Sequence, residues 1–162
     1  EKHNQNEFKI SYYADEPSGM KEIERQVKEI VGKSTPDAAL TTSVDETVGV
    51  GLLDIMPRKA NKMEGIEYLV RKMGVEKDRI IYCGDSGNDL VPLTAGYKAV
   101  VVANATDEVR RRVADTAKKN NVADKIYYAR GNKRHNGNYV SGIIEGLAHF
   151  KVLSTSTKRN KE

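Results

Sequence analysis

A short run near the middle of the chain, residues 79–83, is apolar after its first position, and a loop rich in glycine and aspartate follows it directly. Such a run suits a parallel β-strand that is covered on both faces. The chain around it alternates between amphipathic and apolar segments, which is typical of a doubly wound parallel sheet. We therefore predict an α/β core over residues 57–153. Its predicted helices are 61–73, 107–120 and 140–153, and its further strands are 99–103 and 125–129.

The first 56 residues follow a different pattern. Residues 8–13, 38–43 and 48–55 have the composition of strands, and the apolar positions between Met20 and Val31 have helical spacing, with Gly32 as the expected stop. This order predicts a small α+β domain with antiparallel strands, which ends near Pro57. Residues 154–162 are expected to form a flexible, solvated tail.

The loop Gly84-Asp85-Ser86-Gly87-Asn88-Asp89 is the first candidate site. It follows a predicted parallel strand, and ligands bind at the carboxyl ends of such strands. Asp85 and Asp89 supply two hard oxygen donors within one helical turn, which suit Mg²⁺ together with waters and phosphate oxygens. An acidic helix cap without a ligand is the alternative interpretation of the loop taken alone.

Asn61 and Lys62 stand at the start of the preceding predicted helix. A lysine there opposes the helix dipole, but it lies at the same edge of the predicted sheet as the acidic loop. Its ammonium could offset the charge of a bound phosphate and of the two aspartates. A solvated lysine is the alternative, since Arg58 and Lys59 make this stretch basic in any case.

Composition excludes several classes of protein. The net charge of +4 is not organised into a basic stripe with aromatic residues, so we expect no nucleic-acid partner. No apolar run is long enough to cross a bilayer, so we expect no membrane partner. The lone cysteine, Cys83, cannot form an internal disulfide, and a single thiol fits a reducing compartment. We therefore expect a cytoplasmic protein with Cys83 in its core.

Pro57 and Asn61-Lys62, followed by the loop Gly84–Asp89, resemble the third and fourth motifs of phosphatases of the haloacid dehalogenase (HAD) superfamily that carry a type IIB α+β cap. Within this subclass of phosphatases, the chain is most similar to sucrose-phosphate phosphatases and related disaccharide-phosphate phosphatases. The stretches that narrow the resemblance are Leu53-Asp54-Ile55-Met56-Pro57, Val101-Val102-Ala103-Asn104-Ala105 and, near the C-terminus, Ser141-Gly142-Ile143-Ile144-Glu145-Gly146-Leu147-Ala148-His149-Phe150.

The resemblance implies a role for each matching residue. Asp85 and Asp89 would belong to the Mg²⁺ site, Asp85 as a direct ligand and Asp89 through a metal-bound water or by orienting Lys62. Lys62 would stabilise the nucleophile and the transferring phosphoryl group. Asn88, Ser86 and Asn61 would bind phosphate or shape the substrate site. The implied reaction is Mg²⁺-dependent hydrolysis of a sugar phosphate, with sucrose 6-phosphate as the first guess, through an aspartyl-phosphate.

The family's nucleophile belongs to an Asp-x-Asp-x-Thr motif, and the 162 residues contain none. We therefore expect the chain to be the C-terminal part of the enzyme, beginning within a partial cap, and to be inactive alone. Three explanations of the missing motif remain open: the chain is a fragment, the front part is a separate polypeptide, or the protein was clipped. So do phosphatases for mannosylfructose phosphate, glucosylglycerol phosphate or a monosaccharide phosphate, and a non-catalytic module of a sugar synthase. A dinucleotide-binding module is disfavoured, since no Gly-x-Gly-x-x-Gly follows the first strand.

Overall fold

The computed structural model describes residues 5–14, 19–45, 48–133 and 135–153. The chain forms two compact units, Glu1–Glu64 and Gly65–Glu162. The predicted tail, 154–162, lies outside the described residues, and so do residues 46–47 between the predicted strands 38–43 and 48–55.

The first unit is a three-stranded antiparallel sheet with one helix, as the sequence predicted. Strands β1 (Ile10–Ala14), β2 (Ala38–Asp45) and β3 (Val50–Pro57) lie in the order β1-β3-β2, with helix α1 (Met20–Ser34) between the first two in sequence. The buried apolar side chains of this unit are contributed by the sheet and by the start of the helix: Ala14, Met20 and Leu53. They form a small core.

Helix α1 is longer than predicted, and the expected stop at Gly32 was wrong. The helix runs on to Ser34, and the Thr35 N–H closes it by donating to the Val31 carbonyl. A Cβ at Gly32 would meet nothing, and the residue keeps a negative φ. A glycine ends a helix only where the chain needs the left-handed conformation, and here it does not.

Strand β1 buries a polar residue and leaves its aromatic residues partly exposed. Its aromatic residues Tyr12 and Tyr13 are about half exposed, whereas Ser11 is 2% exposed. The Gln5 side chain bonds both the N–H and the carbonyl of Ser11, and the Ser11 hydroxyl donates to Asp54 at 2.6 Å. These bonds make it possible to bury a polar residue in the strand.

The second unit is a three-stranded parallel sheet with helices on both faces. Helix α2 (Lys62–Met73) begins in the first unit and ends before Gly74, which has a φ of +62°. The strands β4 (Ile81–Gly84), β5 (Lys98–Val101) and β6 (Ile126–Tyr128) lie in the order β4-β5-β6. The helices are α3 (Leu90–Leu93), α4 (Asp107–Lys119) and α5 (Tyr139–His149). The predicted doubly wound pattern is confirmed.

Alternate residues of the strands pack on opposite faces of this sheet. One face buries Leu93, Ala99, Val101, Ala105 and Val113 between the sheet and helices α3 and α4. The other face buries Val100, Val102 and Ala129, with Ile143 and Phe150 of the last helical segment and the half-buried Cys83 against them. Both faces of these strands are covered, which explains why nearly all of their residues are apolar.

Most strand ends differ from the prediction by one or two residues, and two ends in this unit have a visible local cause. Strand β4 begins at Ile81 because Lys77–Arg79 form a 3₁₀ turn ahead of it. Helix α5 ends at His149 rather than near 153, and Lys151 takes a φ of +59°. Among the described residues, no helix is long and apolar enough to cross a membrane.

Candidate functional site

The predicted acidic loop lies at the carboxyl end of β4 and is held by the side chain of Asp89. This residue is 3% exposed. Its Oδ2 accepts the backbone N–H groups of Asp85 and Ser86, each at 3.1 Å, and lies 2.8 Å from the Ser86 hydroxyl. Its Oδ1 accepts the Tyr82 hydroxyl at 2.6 Å. Asp89 therefore organises the whole turn from within.

Gly84 is required where the strand meets this loop. A Cβ at Gly84 would lie 2.7 Å from both Cβ and Cγ of Asp89. Because that distance is far below van der Waals contact, only glycine lets the Asp89 carboxylate fold back beneath the strand end.

Tyr82 reports on the environment beneath the loop. Burial of its side chain raises the pKa of the phenol, and the hydrogen bond to Asp89 and the negative charge of that carboxylate raise it further. A neutral phenol is therefore the form that donates to Asp89, as the hydrogen bond requires.

Asp85 is half-buried and is positioned by a residue that sequence reasoning did not assign. Its Oδ2 accepts a hydrogen bond from Nδ2 of Asn104, which follows β5 at the neighbouring strand end. Within the described part of the chain, its Oδ1 accepts no hydrogen bond. The signal for Asn104 was available, since it occupies after β5 the position that the acidic loop occupies after β4.

Ser86 and Asn88 contact each other at the surface of the loop. The Ser86 hydroxyl lies 2.8 Å from Oδ1 of Asn88 and 2.8 Å from Oδ2 of Asp89, and its single proton serves one of them at a time. Asn88 is exposed. The structure thus brings four predicted residues into one loop: Asp85, Ser86, Asn88 and Asp89.

The other two predicted residues lie at the start of α2, in the first unit. Asn61 accepts the Glu64 N–H at 3.0 Å through Oδ1 and donates to the Arg58 carbonyl at 3.0 Å. It therefore acts as a helix cap. Lys62 is the first residue of the helix and is exposed.

The donor set suits a hard divalent cation only in part. Mg²⁺ is commonly held by one or two carboxylates, with waters and substrate phosphate completing six ligands. Asp85 has one oxygen outside any hydrogen bond of the described residues, whereas both oxygens of Asp89 are engaged within the loop. No group of three metal-ligating side chains occurs in the described ranges. The loop therefore fits Mg²⁺ as one part of its coordination.

The loop after β6, which includes His135, is fixed by Glu145 of α5. Glu145 accepts the N–H groups of Arg130 and Gly131 and the Tyr127 hydroxyl. Burial raises the pKa of the Glu145 carboxyl, but these hydrogen bonds outweigh burial and lower it overall. Sequence reasoning gave Glu145 no role, because the partners lie 14 to 18 residues away.

Arg110 belongs to the basic run Arg110-Arg111-Arg112 of α4, but it is not a solvated surface residue. Its guanidinium is half-buried and donates to the carbonyls of Ala129, at 2.7 Å, and Val102, at 3.4 Å. It also packs over the Tyr128 ring. Arg110 therefore satisfies backbone carbonyls at the ends of β5 and β6, whereas Arg111 and Arg112 are exposed.

This fold, with a parallel sheet between helices in one unit and an antiparallel α+β arrangement in the other, is that of HAD-superfamily phosphatases. The sucrose-phosphatase of Synechocystis sp. PCC6803, solved with sucrose and phosphate, matches with a TM-score of 0.69 and 24% identity over 91% of this chain and 53% of that one. A HAD phosphatase of Bacteroides thetaiotaomicron matches with a TM-score of 0.58 and 22% identity over 93% of this chain and 44% of that one.

Residues 1–151 match the family model of sucrose-6F-phosphate phosphohydrolase, and the chain belongs to that family. A protein of Nitrosococcus oceani named as a HAD-like hydrolase is 38% identical over 90% of this chain and 39% of its own length. Sucrose-phosphatase 2 of Nicotiana tabacum is 27% identical over 96% of this chain and 34% of its own length. The chain thus spans between a third and two fifths of these relatives. The predicted family is confirmed.

Proposed function

We propose that the protein to which this chain contributes hydrolyses a sugar phosphate, with sucrose 6-phosphate as the first substrate to test. The observation that carries the proposal is the loop after β4, in which Asp85 is held with one carboxylate oxygen outside any hydrogen bond of the described residues. Membership of the sucrose-6F-phosphate phosphohydrolase family supports it. Phosphates of mannosylfructose, glucosylglycerol and monosaccharides are the alternative substrates.

We propose that Asp85 and Asp89 form the protein's side of a Mg²⁺ site. Asp85 would be the direct ligand, and Asp89 would keep the loop in shape and contribute through a metal-bound water. When bound, Mg²⁺ would neutralise charge on the phosphoryl group. The donor set supports this, since an oxygen-only site with few carboxylates suits Mg²⁺.

The remaining predicted residues would handle phosphate and substrate. Lys62 would offset negative charge on the phosphoryl group and the attacking carboxylate. Asn88 and Ser86 would bind phosphate oxygens from the loop, and Asn61 would set the start of α2. The exposure of Asn88 supports its part.

The attacking group would come from outside these residues. The 162 residues contain no Asp-x-Asp-x-Thr, so we propose that an aspartate on a segment ahead of Glu1 attacks phosphorus. As the bond from that aspartate to phosphorus forms, the bond from phosphorus to the sugar oxygen would break, and the second aspartate of the motif would give that oxygen its proton. Water would then cleave the aspartyl-phosphate to inorganic phosphate and free aspartate. Residues 1–56 would form part of the cap, residues 57–153 the C-terminal half of the core, and the protein would work in the cytoplasm.

Phosphate release from sucrose 6-phosphate tests the proposal. We expect Mg²⁺-dependent release by a protein that carries this chain behind an Asp-x-Asp segment, and none by the chain alone. Asp85→Ala should abolish release, while Asp124→Ala, which removes an exposed carboxylate ahead of β6, should leave it unchanged. Retained activity in Asp85→Ala would remove the metal assignment, and equal rates on every sugar phosphate would remove the disaccharide preference.

A non-catalytic module of a sugar synthase is the second candidate, favoured only by the missing nucleophile motif. It predicts no phosphate release from any sugar phosphate when the upstream segment is present. The same assay therefore separates the two candidates.

A further inference from the structure

Asn104 joins two strand ends to the start of the last helix. It follows β5, its Nδ2 donates to Oδ2 of Asp85, and its Oδ1 accepts the backbone N–H of Tyr139 at 2.9 Å. Among the described residues, Asn104 is the one whose side chain hydrogen-bonds to both the acidic loop and the first residue of α5. The family roles considered above leave Asn104 unassigned.

The direction of the Asn104 amide is fixed by chemistry. A backbone N–H can only donate, so the atom that faces Tyr139 must be the oxygen Oδ1. The amide nitrogen then necessarily faces Asp85, and a carboxylate can only accept there. A reversed amide would oppose N–H to N–H on one side and oxygen to oxygen on the other.

The backbone at Tyr139 supports this arrangement. Tyr139 has a φ of +45°, in the left-handed region that a residue with a large side chain rarely adopts. Such a conformation persists where surrounding contacts over-determine it. The bond from its N–H to Asn104 is one of those contacts, and it ties the orientation of the amide to the start of α5.

We infer that Asn104 is a positioning residue that orients the Asp85 carboxylate. By taking Oδ2, its amide turns the carboxylate and leaves Oδ1 as the oxygen available to a cation. The inference rests on the proposed function, because it assigns Asp85 as a metal ligand. Replacement of a residue that hydrogen-bonds to a metal ligand commonly changes the metal affinity by about 10- to 100-fold.

Binding of Mn²⁺ alone to the full chain tests the inference, with the free ion followed by electron paramagnetic resonance. Asn104→Leu keeps the number and branching of the side-chain heavy atoms and removes both hydrogen bonds. We expect its dissociation constant for Mn²⁺ to rise about tenfold or more. Hydrogen exchange at the Tyr139 amide reports the structural bond separately, and circular dichroism reports folding. Asn104→Ser provides the same comparison should the leucine variant fail to fold.

Asp85→Asn distinguishes a failure of the inference about Asn104 from a failure of the proposed metal site. Should Asp85→Asn lose Mn²⁺ binding while both Asn104 variants bind within about twofold of the unmodified chain, Asn104 has a purely structural role and the inference is overturned. Should Asp85→Asn bind Mn²⁺ as the unmodified chain does, the metal site of the proposed function is wrong, and the inference falls with it.

Discussion

At the scale of single residues, two aspartates four positions apart in one loop have different environments. Asp89 is buried and accepts hydrogen bonds on both oxygens, whereas Asp85 is half-buried and bonded on one side only. Removal of a buried acceptor leaves the donors that it served without a partner, at a cost of about 1–3 kcal/mol for each donor. The two residues should therefore respond differently to the same substitution.

We expect Asp89→Ala to lower the free energy of unfolding by more than about 2 kcal/mol, because several donors beneath the loop lose their acceptor. Asp85→Ala, the matched control, should lose less than about 1.5 kcal/mol, the net value of one hydrogen bond. Denaturant titration of both variants measures the difference. Equal losses would contradict the structural role of Asp89.

The raised pKa of Tyr82 predicts a loss of stability in alkali. Stability from its neutral phenol is fully present below the pKa of an ordinary tyrosine, about 10. It is lost as the pH rises toward the higher pKa of the folded state, since the unfolded chain ionises first.

Tyr82→Phe should therefore show a smaller fall in unfolding free energy above about pH 10 than the unmodified chain. In Tyr82→Phe the unfolding free energy should still fall with rising pH, because burial also raises the pKa of Tyr128. Denaturant titrations at several alkaline pH values measure it. Parallel pH curves for the two proteins would show that the Tyr82 phenol is not held neutral.

At the scale of elements, helix α5 approaches the sheet closely because it carries glycine at two positions one turn apart. A Cβ at Gly146 would lie 2.2 Å from Cγ2 of Val100, and one at Gly142 would lie 2.1 Å from the Gly137 carbonyl oxygen. Helix propensity alone would favour alanine by about 1 kcal/mol. Packing against β5 therefore overrides propensity here.

Gly146→Ala should lower the free energy of unfolding by about 1–3 kcal/mol, since the added methyl forces the helix away from Val100. Gly65→Ala in α2 is the matched control, because a Cβ there meets nothing within 4 Å. That variant should gain about 0.5–1 kcal/mol from helix propensity. Thermal and denaturant unfolding compare the two. A stabilised Gly146→Ala would disprove the close approach of α5 to β5.

Glu145 connects α5 to the loop after β6, and its lowered pKa gives this connection a pH dependence. The stability that the carboxylate contributes is present above its ordinary pKa of 4.5 and is lost as the pH falls through the lower value of the folded state. Glu145→Gln should flatten the stability curve below about pH 4.5. Unfolding measured from pH 6 downward by about half-unit steps tests this. An unchanged acid slope would contradict it.

At the scale of the whole molecule, the two units have cores of different size. The described residues of the first unit bury three apolar side chains, Ala14, Met20 and Leu53. In the second unit, β5 and its neighbours are buried on both faces, and Val100, Val101 and Val113 are 0% exposed. Local opening is easiest where few apolar contacts resist it.

Amide hydrogen exchange should therefore protect β5 more strongly than β3, although each is the central strand of its sheet. Mass spectrometry of peptic peptides resolves the two strands in one experiment. Slower exchange in β3 than in β5 would show that the first unit is stabilised by something other than its buried side chains.

Much of the fold was predictable because its signals are local. The apolar run of β4, the helical spacing of α2 and α4 and the alternation of elements depend on neighbours within a few residues. The loop Gly84–Asp89 was predictable for the same reason, since its residues bond one another. The end of α1 and the burial of Ser11 were not, because they depend on open space at Gly32 and on the bonds of Ser11 to Gln5 and Asp54.

The sequence by itself determined the order of the elements, the α/β class of the second unit and the chemistry of the acidic loop. Periodicity and turn chemistry are properties of contiguous residues, which is why these features could be derived without coordinates. Only the tertiary structure decided that Asn104 faces Asp85, that Glu145 holds the loop after β6 and that Asp89 is buried while Asp85 is not. These contacts join residues brought together at strand ends by the sheet, and no local pattern encodes which side chains meet there.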